Sequence, residues 1–338
     1  MISLEPYLRI IPAILFLHAS VLVGCATQLK PKDRTPPIAP IEPHIVQLHG
    51  KRHLDNYFWL KSPRDHRREI YIESENRYAQ ESLKDLKPLQ ESIYREMFER
   101  ININDSSVPF QWGPYIYSSR LVQGLPFPIH MRTPVSDPTK EEVVLDLNTI
   151  VRRYPQAKLG AFRMSPDHRF VAFTLKEQAG RPYSLYIQSI EKPAVTYIAT
   201  QISEIEWGHD AKSIYYLKQN DLGRSDELFL VENLPQVIKA SKSISARENL
   251  VYRETDPAYH LRLSRSKNGR FVFFSAESVN TRQAFYIDLK TSAHTAKPLR
   301  PRIEGTKDTL GHRGNKFLIK SEENGRNAIL FSTDVNSP

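Results

Sequence analysis

The sequence is poor in cysteine, glycine and long apolar runs. One cysteine in 338 residues excludes a disulfide framework and any zinc site built from cysteine pairs. The 13 glycines form no dinucleotide or phosphate-loop fingerprint, and no His-Glu-x-x-His motif occurs. No apolar run reaches the ~20 residues of a membrane-spanning helix. The chain instead has 24 prolines, which suits many short strands joined by turns.

The chain is basic, with a formal net charge of +9. Lys and Arg are dispersed, and the densest patch, residues 63–68, also contains an acid. We interpret the charge as a solvated basic surface and expect no nucleic-acid partner. A hydrophobic content of 40% predicts a globular chain.

The single cysteine follows an apolar stretch near the N-terminus. Residues 10–24 are too few for a permanent span and fit the apolar region of a secretory signal. The motif LVGC at residues 22–25 resembles a bacterial lipobox, whose cysteine is lipidated and becomes the new N-terminus. We therefore predict a signal peptide over residues 1–24 and lipidation at Cys25. Because Ala26 follows, we expect a lipid anchor at the bacterial outer membrane, facing the periplasm. An uncleaved anchor is the alternative.

A proline-rich segment and a helical arm are predicted next. Residues 25–44 contain five prolines and are expected to form an extended tether. Ser62 is predicted to cap a first helix, which ends near Pro88. We assign residues 45–104 to this arm.

The second helix of the arm carries an apolar stripe with a spacing of four residues, formed by Leu89, Ile93, Met97 and Ile101. We expect the stripe to pack in a core within this chain. A docking surface for another domain is the alternative.

From residue 112 onward the spacing of apolar residues is typical of β-strands, and pairs of such strands recur along the chain. Strands begin at Tyr115, Phe170, Ile214, Phe271 and Phe317, and a second strand begins 12 to 15 residues after each. Flanking strands bring the total to about four per unit, which is typical of a β-propeller blade. We predict a mainly β fold, with an incomplete propeller of about five blades over residues 105–338. The last blade is expected to end after its third strand.

Several stretches resemble, in order, the N-terminal half of the prolyl oligopeptidase family. They include LHGKRHLDNYFWLKSPRD at residues 48–65 and LGAFRMSPDHRFVAFTLKEQAGRPYSLYI at residues 159–187. They are most similar to the oligopeptidase B (protease II) branch. The resemblance implies a helical arm, a seven-bladed propeller that restricts access, and a C-terminal α/β-hydrolase domain. That domain would carry a Ser-Asp-His triad and cut short peptides after Lys or Arg.

The sequence departs from this family pattern at the catalytic motif. No Gly-x-Ser-x-Gly occurs, although this motif exposes the nucleophile of α/β-hydrolases. We therefore predict no α/β-hydrolase domain, no catalytic residue, no cofactor and no metal in this chain. Three functions stay open: a truncated oligopeptidase B-like peptidase, an exported propeller that binds peptides or proteins, and one half of a split peptidase with a separate hydrolase domain as partner.

The remaining candidate residues are interpreted as structural. Ser264 and Lys267 match the Ser-x-x-Lys pattern but lack its partner motifs. His168, His209 and His312 are predicted to occupy corresponding surface turns between strands, and not to bind a metal.

Overall fold

The computed structural model of the protein describes residues 35–338 except 63, 103, 154–155, 241–246 and 292. The predicted signal peptide, Cys25 and the first part of the tether lie outside the described residues. The chain divides into two compact units, the first ending at Ile101 and the second running from Asn102 to Pro338. Within the described part, no helix is long and apolar enough to span a bilayer.

The first unit begins with a hairpin that was not predicted from the sequence. Strand β1 (His44–Leu48) pairs with the antiparallel strand β2 (Lys51–Asp55). The two turn residues, His49 and Gly50, both have positive φ, as a type I′ hairpin turn requires. The turn was not predicted from the sequence because, of its two residues, only Gly50 is a type that such turns favour.

Two helices follow the hairpin and a short 3₁₀ turn (Phe58–Lys61). Helix α1 (His66–Leu83) begins after Asp65, whose carboxylate accepts a hydrogen bond from the Arg67 amide at 3.0 Å. The prediction of Ser62 as the N-cap was therefore wrong, because the side chain of Asp65 accepts from a free amide of the first turn. A 3₁₀ turn (Lys84–Leu86) leads to helix α2 (Lys87–Glu99), which has proline in its first turn.

The apolar stripe of α2 is exposed. Its four members, Leu89, Ile93, Met97 and Ile101, are 48% to 64% exposed, and neither helix buries a side chain. No described part of the first unit covers this stripe, so the expectation that it packs in a core is wrong for that unit. Its alternative, a docking surface, stays a prediction.

The second unit contains three four-stranded antiparallel sheets and one seven-stranded sheet that spans two repeats, so it has five repeats, here called blades 1 to 5. Blade 1 contains β3 (Phe110–Trp112), β4 (Tyr115–Arg120), β5 (Ile129–Pro134) and β6 (Glu142–Asp146). Blade 2 contains β7 (Lys158–Met164), β8 (Phe170–Lys176), β9 (Ser184–Ser189) and β10 (Val195–Thr200). Blade 3 contains β11 (Ile202–Trp207), β12 (Ile214–Gln219), β13 (Ser225–Val231) and β14 (Glu248–Arg253).

Blades 4 and 5 are linked by one parallel pair, Arg282 with Lys307. Blade 4 contains β15 (His260–Arg265), β16 (Phe271–Glu277), β17 (Arg282–Asp288) and the short β18 (Lys297–Pro298). Blade 5 contains β19 (Thr306–Arg313), β20 (Lys316–Glu323) and β21 (Ile329–Asp334). Two short helices lie in connections, α3 (Leu147–Ile150) and α4 (Leu234–Ala240). The predicted repeat of five blades, with a last one of three strands, is confirmed.

The blades stack on one another through four apolar clusters, one between each pair of neighbours. Strand β12 shows how one strand serves two clusters. Ile214 and Tyr216 belong to the cluster shared with blade 2, whereas Tyr215 and Leu217 belong to the cluster shared with blade 4. Because neighbouring blades cover both faces, inner strands need no polar face, which explains their unbroken apolar runs.

Candidate functional site

The turns that end the first strand of a blade share a hydrogen-bonded design. In blade 2, Ser165 Oγ accepts from the Phe170 amide at 2.9 Å and donates to the Asp167 carboxylate at 2.6 Å. In blade 4, Ser266 makes the same pair of hydrogen bonds, with Phe271 and Asn268. In all three blades, the amide of the first turn residue also donates to the carbonyl five residues later. These backbone bonds join Ser165 to Phe170 in blade 2, Gly208 to Ser213 in blade 3 and Ser266 to Phe271 in blade 4. These turns therefore align blades 2 to 4 residue by residue.

This alignment corrects the placement of three histidines. The fourth turn position has positive φ and is occupied by His168, Ala211 and Gly269 in blades 2, 3 and 4. His209 occupies the second position of its turn, and His312 lies within β19. The prediction that the histidines sit in corresponding turns was therefore wrong in detail. Among the described residues, no three His, Cys, Asp or Glu side chains cluster as a metal site.

A cavity of about 710 Å³ lies where the first strands of blades 1 to 4 end. The lining also includes residues of β4, β5 and β6 of blade 1. Propeller blades surround a central channel, and we interpret this cavity, called the channel cavity below, as part of it. Its apolar lining includes Phe110 and Trp112 of β3 and Phe162 of β7. Its charged lining residues are Arg163, Glu206, Arg265 and Lys267.

An ion pair joins blades 2 and 3 at the cavity. Arg163 Nε donates to Glu206 Oε1 at 2.9 Å, and the Trp207 indole donates to the Arg163 carbonyl at 2.9 Å. Glu206 is only 8% exposed. Burial raises the pKa of Glu206, whereas the positive charges of Arg163 and Arg265 oppose that rise. The pair therefore fixes one acidic group beside several cations.

Arg265 occupies an unusual position in the repeat. The turn alignment matches it with Met164 of blade 2 and Trp207 of blade 3, which are 7% and 1% exposed. Its Nε is buried and finds no acceptor among the residues that the structure describes, while a terminal nitrogen donates to the Gly269 carbonyl at 3.2 Å. Burial lowers the pKa of Arg265, and the Glu206 carboxylate offsets part of this effect. A guanidinium nevertheless stays protonated near neutral pH.

Sequence reasoning missed Arg265, although a signal for it existed. Aligning the repeats on their Ser-x-Asp and Ser-x-Asn turns places this charged residue at a core position. The Ser-x-x-Lys match crosses the same region, since Ser264 lies on β15 and Lys267 lies in the following turn. Of that pair, Lys267 lines the cavity.

The family model of the prolyl oligopeptidase N-terminal β-propeller domain matches residues 36–338. This chain belongs to the prolyl oligopeptidase family. The resemblance found in the sequence is therefore confirmed. Dipeptidyl aminopeptidase BI of Pseudoxanthomonas mexicana is 24% identical over 335 residues, covering 93% of this chain and 45% of the relative. Protease 2 of Moraxella lacunata is 28% identical over 313 residues, covering 89% and 44%.

Solved structures of this prolyl oligopeptidase family share the fold. Oligopeptidase B from Leishmania major superposes with a TM-score of 0.80 at 24% identity, covering 90% of this chain and 45% of that chain. Oligopeptidase B from Trypanosoma brucei, in a closed form with covalently bound antipain, gives a TM-score of 0.76 at 23% identity, covering 90% and 45%. The chain thus spans less than half the length of these relatives.

Proposed function

We propose that this chain supplies the arm and propeller of an oligopeptidase B-like serine peptidase and catalyses no hydrolysis by itself. The observation that carries the proposal is a propeller-domain match over residues 36–338 in a sequence without Gly-x-Ser-x-Gly. A hydrolase domain supplied in addition to these residues would perform the cleavage, after Lys or Arg as the branch resemblance implies.

In this proposal the propeller selects substrates by size. A cavity of about 710 Å³ is in the range that holds a small ligand, so it accommodates a short peptide segment and not a folded protein. The four inter-blade clusters support a channel that is not easily widened. The channel would therefore admit short peptides to the hydrolase domain.

The test is an activity assay on the purified 338-residue chain with a fluorogenic arginyl amide. We expect no turnover and no labelling by a serine-directed fluorophosphonate, because the nucleophile motif is absent. A full-length protease 2-type enzyme serves as the positive control. Hydrolysis by the chain that disappears when one of its own serines is replaced would overturn the proposal.

A propeller that binds peptides without chemistry is the second candidate, favoured by the incompletely bonded Arg265 in the channel cavity. An experiment that mixes this chain with a hydrolase domain encoded near its gene distinguishes the two candidates. Restored cleavage of the arginyl amide supports a split peptidase. Peptide binding without cleavage in the mixture supports the binding protein.

We also propose that Cys25 carries a lipid that anchors the protein at the outer membrane, facing the periplasm. The LVGC motif after a short apolar stretch supports this proposal. Replacing Cys25 with Ser should release the protein from the membrane fraction, whereas the control Ala26→Asp should keep it lipidated but move it to the inner membrane. Unchanged membrane partitioning of Cys25→Ser would contradict the lipid anchor.

A further inference from the structure

The channel cavity carries an excess of positive charge. Three cations, Arg163, Arg265 and Lys267, line it with a single carboxylate, Glu206. Glu206 is already hydrogen-bonded to Arg163. The ion pairs of the described residues include neither Arg265 nor Lys267. The cavity therefore attracts an anionic group on the side formed by blade 4.

The guanidinium of Arg265 is held in place but is not saturated with acceptors. One terminal nitrogen is fixed on the Gly269 carbonyl, and no described residue supplies an acceptor for its buried Nε. Gly269 makes room for it, because a Cβ there would lie 2.8 Å from the Arg265 terminal nitrogen. The hydrogen bond to Gly269 uses one of the five N–H donors of the guanidinium, and a carboxylate in the cavity is the acceptor that best matches the terminal donors that remain.

Another part of the cavity lining is apolar and accessible. Phe110 and Val108 are 59% and 87% exposed, and Trp112 is also exposed. An aromatic wall gains most from an apolar side chain that leaves water. A small inorganic anion would satisfy Arg265 but would leave this wall uncovered.

We propose that this cavity binds the C-terminal carboxylate of a short apolar peptide, with Arg265 as the carboxylate-binding group. Lys267 adds a second positive charge, and the wall formed by Phe110 and Trp112 contacts the terminal side chain. The site recognises a free peptide end, because an internal peptide bond carries no charge to pair with Arg265. The inference rests on the proposed function in that the ligand is a peptide.

The test measures binding of acetyl-Ala-Ala-Phe as the free acid and as the amide by isothermal titration calorimetry. We expect the acid to bind at least about ten-fold more tightly than the amide, the effect of one hydrogen-bonded charge. Arg265→Met should remove this preference. That variant places in blade 4 the residue type that blade 2 has at the same position, so the fold is expected to tolerate it. The control Arg313→Met removes an equal charge from an exposed site outside the cavity lining and should keep the preference.

Arg265→Lys is a second variant that keeps the charge but not the guanidinium fork. It should weaken the preference for the acid without abolishing it. Inorganic phosphate should compete only weakly, because it cannot contact the aromatic wall. Equal binding of acid and amide by the parent protein would overturn the proposal, as would a preference that survives in Arg265→Met. Phosphate binding as tight as that of the acid would also overturn it, by showing a general anion site.

These outcomes are independent of the assay for the proposed function. The calorimetric ligands lack a scissile arginyl bond and report binding alone. If the chain binds the acid and the amide equally but does not hydrolyse the arginyl amide, the carboxylate site is refuted and the proposed function is not. Intrinsic hydrolysis would defeat the proposed function without changing the calorimetric result.

Discussion

Helix α2 of the first unit and strand β12 of the second unit are both rich in apolar residues but bury them differently. The α2 stripe is about half exposed, whereas Ile214, Tyr215, Tyr216 and Leu217 of β12 have no exposed surface. The strand lies between two blades, so both of its faces are covered. A helix offers one stripe and gains stability from it only when something packs against it. Apolar periodicity therefore predicts a contact face but not its occupant.

The largest expected effect comes from a matched pair of leucines. Leu217→Ala should destabilise the protein by about 2–5 kcal/mol, because it leaves a cavity between blades 3 and 4. Leu89→Ala on the exposed stripe should change stability by no more than about 0.5 kcal/mol. Urea unfolding followed by tryptophan fluorescence measures both. Equal losses would break the comparison and show that the stripe is covered in solution.

A second pair of variants compares a buried ion pair of the second unit with an exposed one of the first. Asp308 is buried and accepts two hydrogen bonds from Arg300, each at 2.6 Å. Asp308→Asn should therefore cost about 1–3 kcal/mol. The exposed pair of Glu96 and Arg100 on α2 should contribute almost nothing, so Glu96→Gln is expected to stay within about 0.5 kcal/mol. A larger cost at Glu96 than at Asp308, measured by urea unfolding, would reverse the comparison.

A smaller difference in stability is expected when two glycines with positive φ, one in each unit, are replaced by alanine. Gly50 in the β1–β2 turn has no atom within 4 Å of an added Cβ, so Gly50→Ala should cost about 1 kcal/mol from backbone conformation alone. Gly269→Ala should cost about 1–2 kcal/mol, because the methyl group must also displace Arg265. Thermal unfolding of the two variants tests the order. If Gly269→Ala is the milder variant, the close approach to Arg265 does not restrain the turn.

The smallest expected effect is a pH dependence confined to the propeller. Burial lowers the pKa of His130 and His168, which lie where blades 1 and 2 meet, so folding favours their neutral forms. The unfolded chain then binds more protons below its histidine pKa of about 6.5. Stability should be complete above that pH and should fall as the pH drops below it.

The measurement is the thermal midpoint at pH 7.5, 6.5 and 5.5 for the parent and for His168→Gln. In the parent, Tyr117 Oη and His168 Nδ1 are 2.7 Å apart across the blade interface. Removing the imidazole should reduce the fall in midpoint on acidification. A parent midpoint that does not change between pH 7.5 and 5.5 would refute the linkage.

The strands of the propeller could be predicted because each one carries its own signal. Apolar runs bounded by turn residues located β4, β8, β12 and β16 at their first residue, and β20 within one residue. The arm was harder to predict for two reasons. Ser62 and Asp65 both suit an N-cap, and the hairpin of β1 and β2 has largely polar and exposed strands.

The candidate site was not predicted because its signal is distributed over four blades. Taken one at a time, Arg163, Glu206 and Arg265 look like ordinary charged strand residues, and they are separated by 43 and 59 positions in the sequence. Only the stacking of blades brings them to one cavity. No local pattern reports that Arg265 Nε will find no acceptor.

The sequence by itself determined the repeat, the order of the strands, the family and the lack of a nucleophile motif, because each of these is written in local periodicity or in contiguous residues. The tertiary structure decided which apolar faces are covered, which acid caps α1 and which cations of the cavity make no ion pair with the described residues. Those outcomes depend on contacts between residues far apart in the chain, where burial and competition among hydrogen-bond partners set the result.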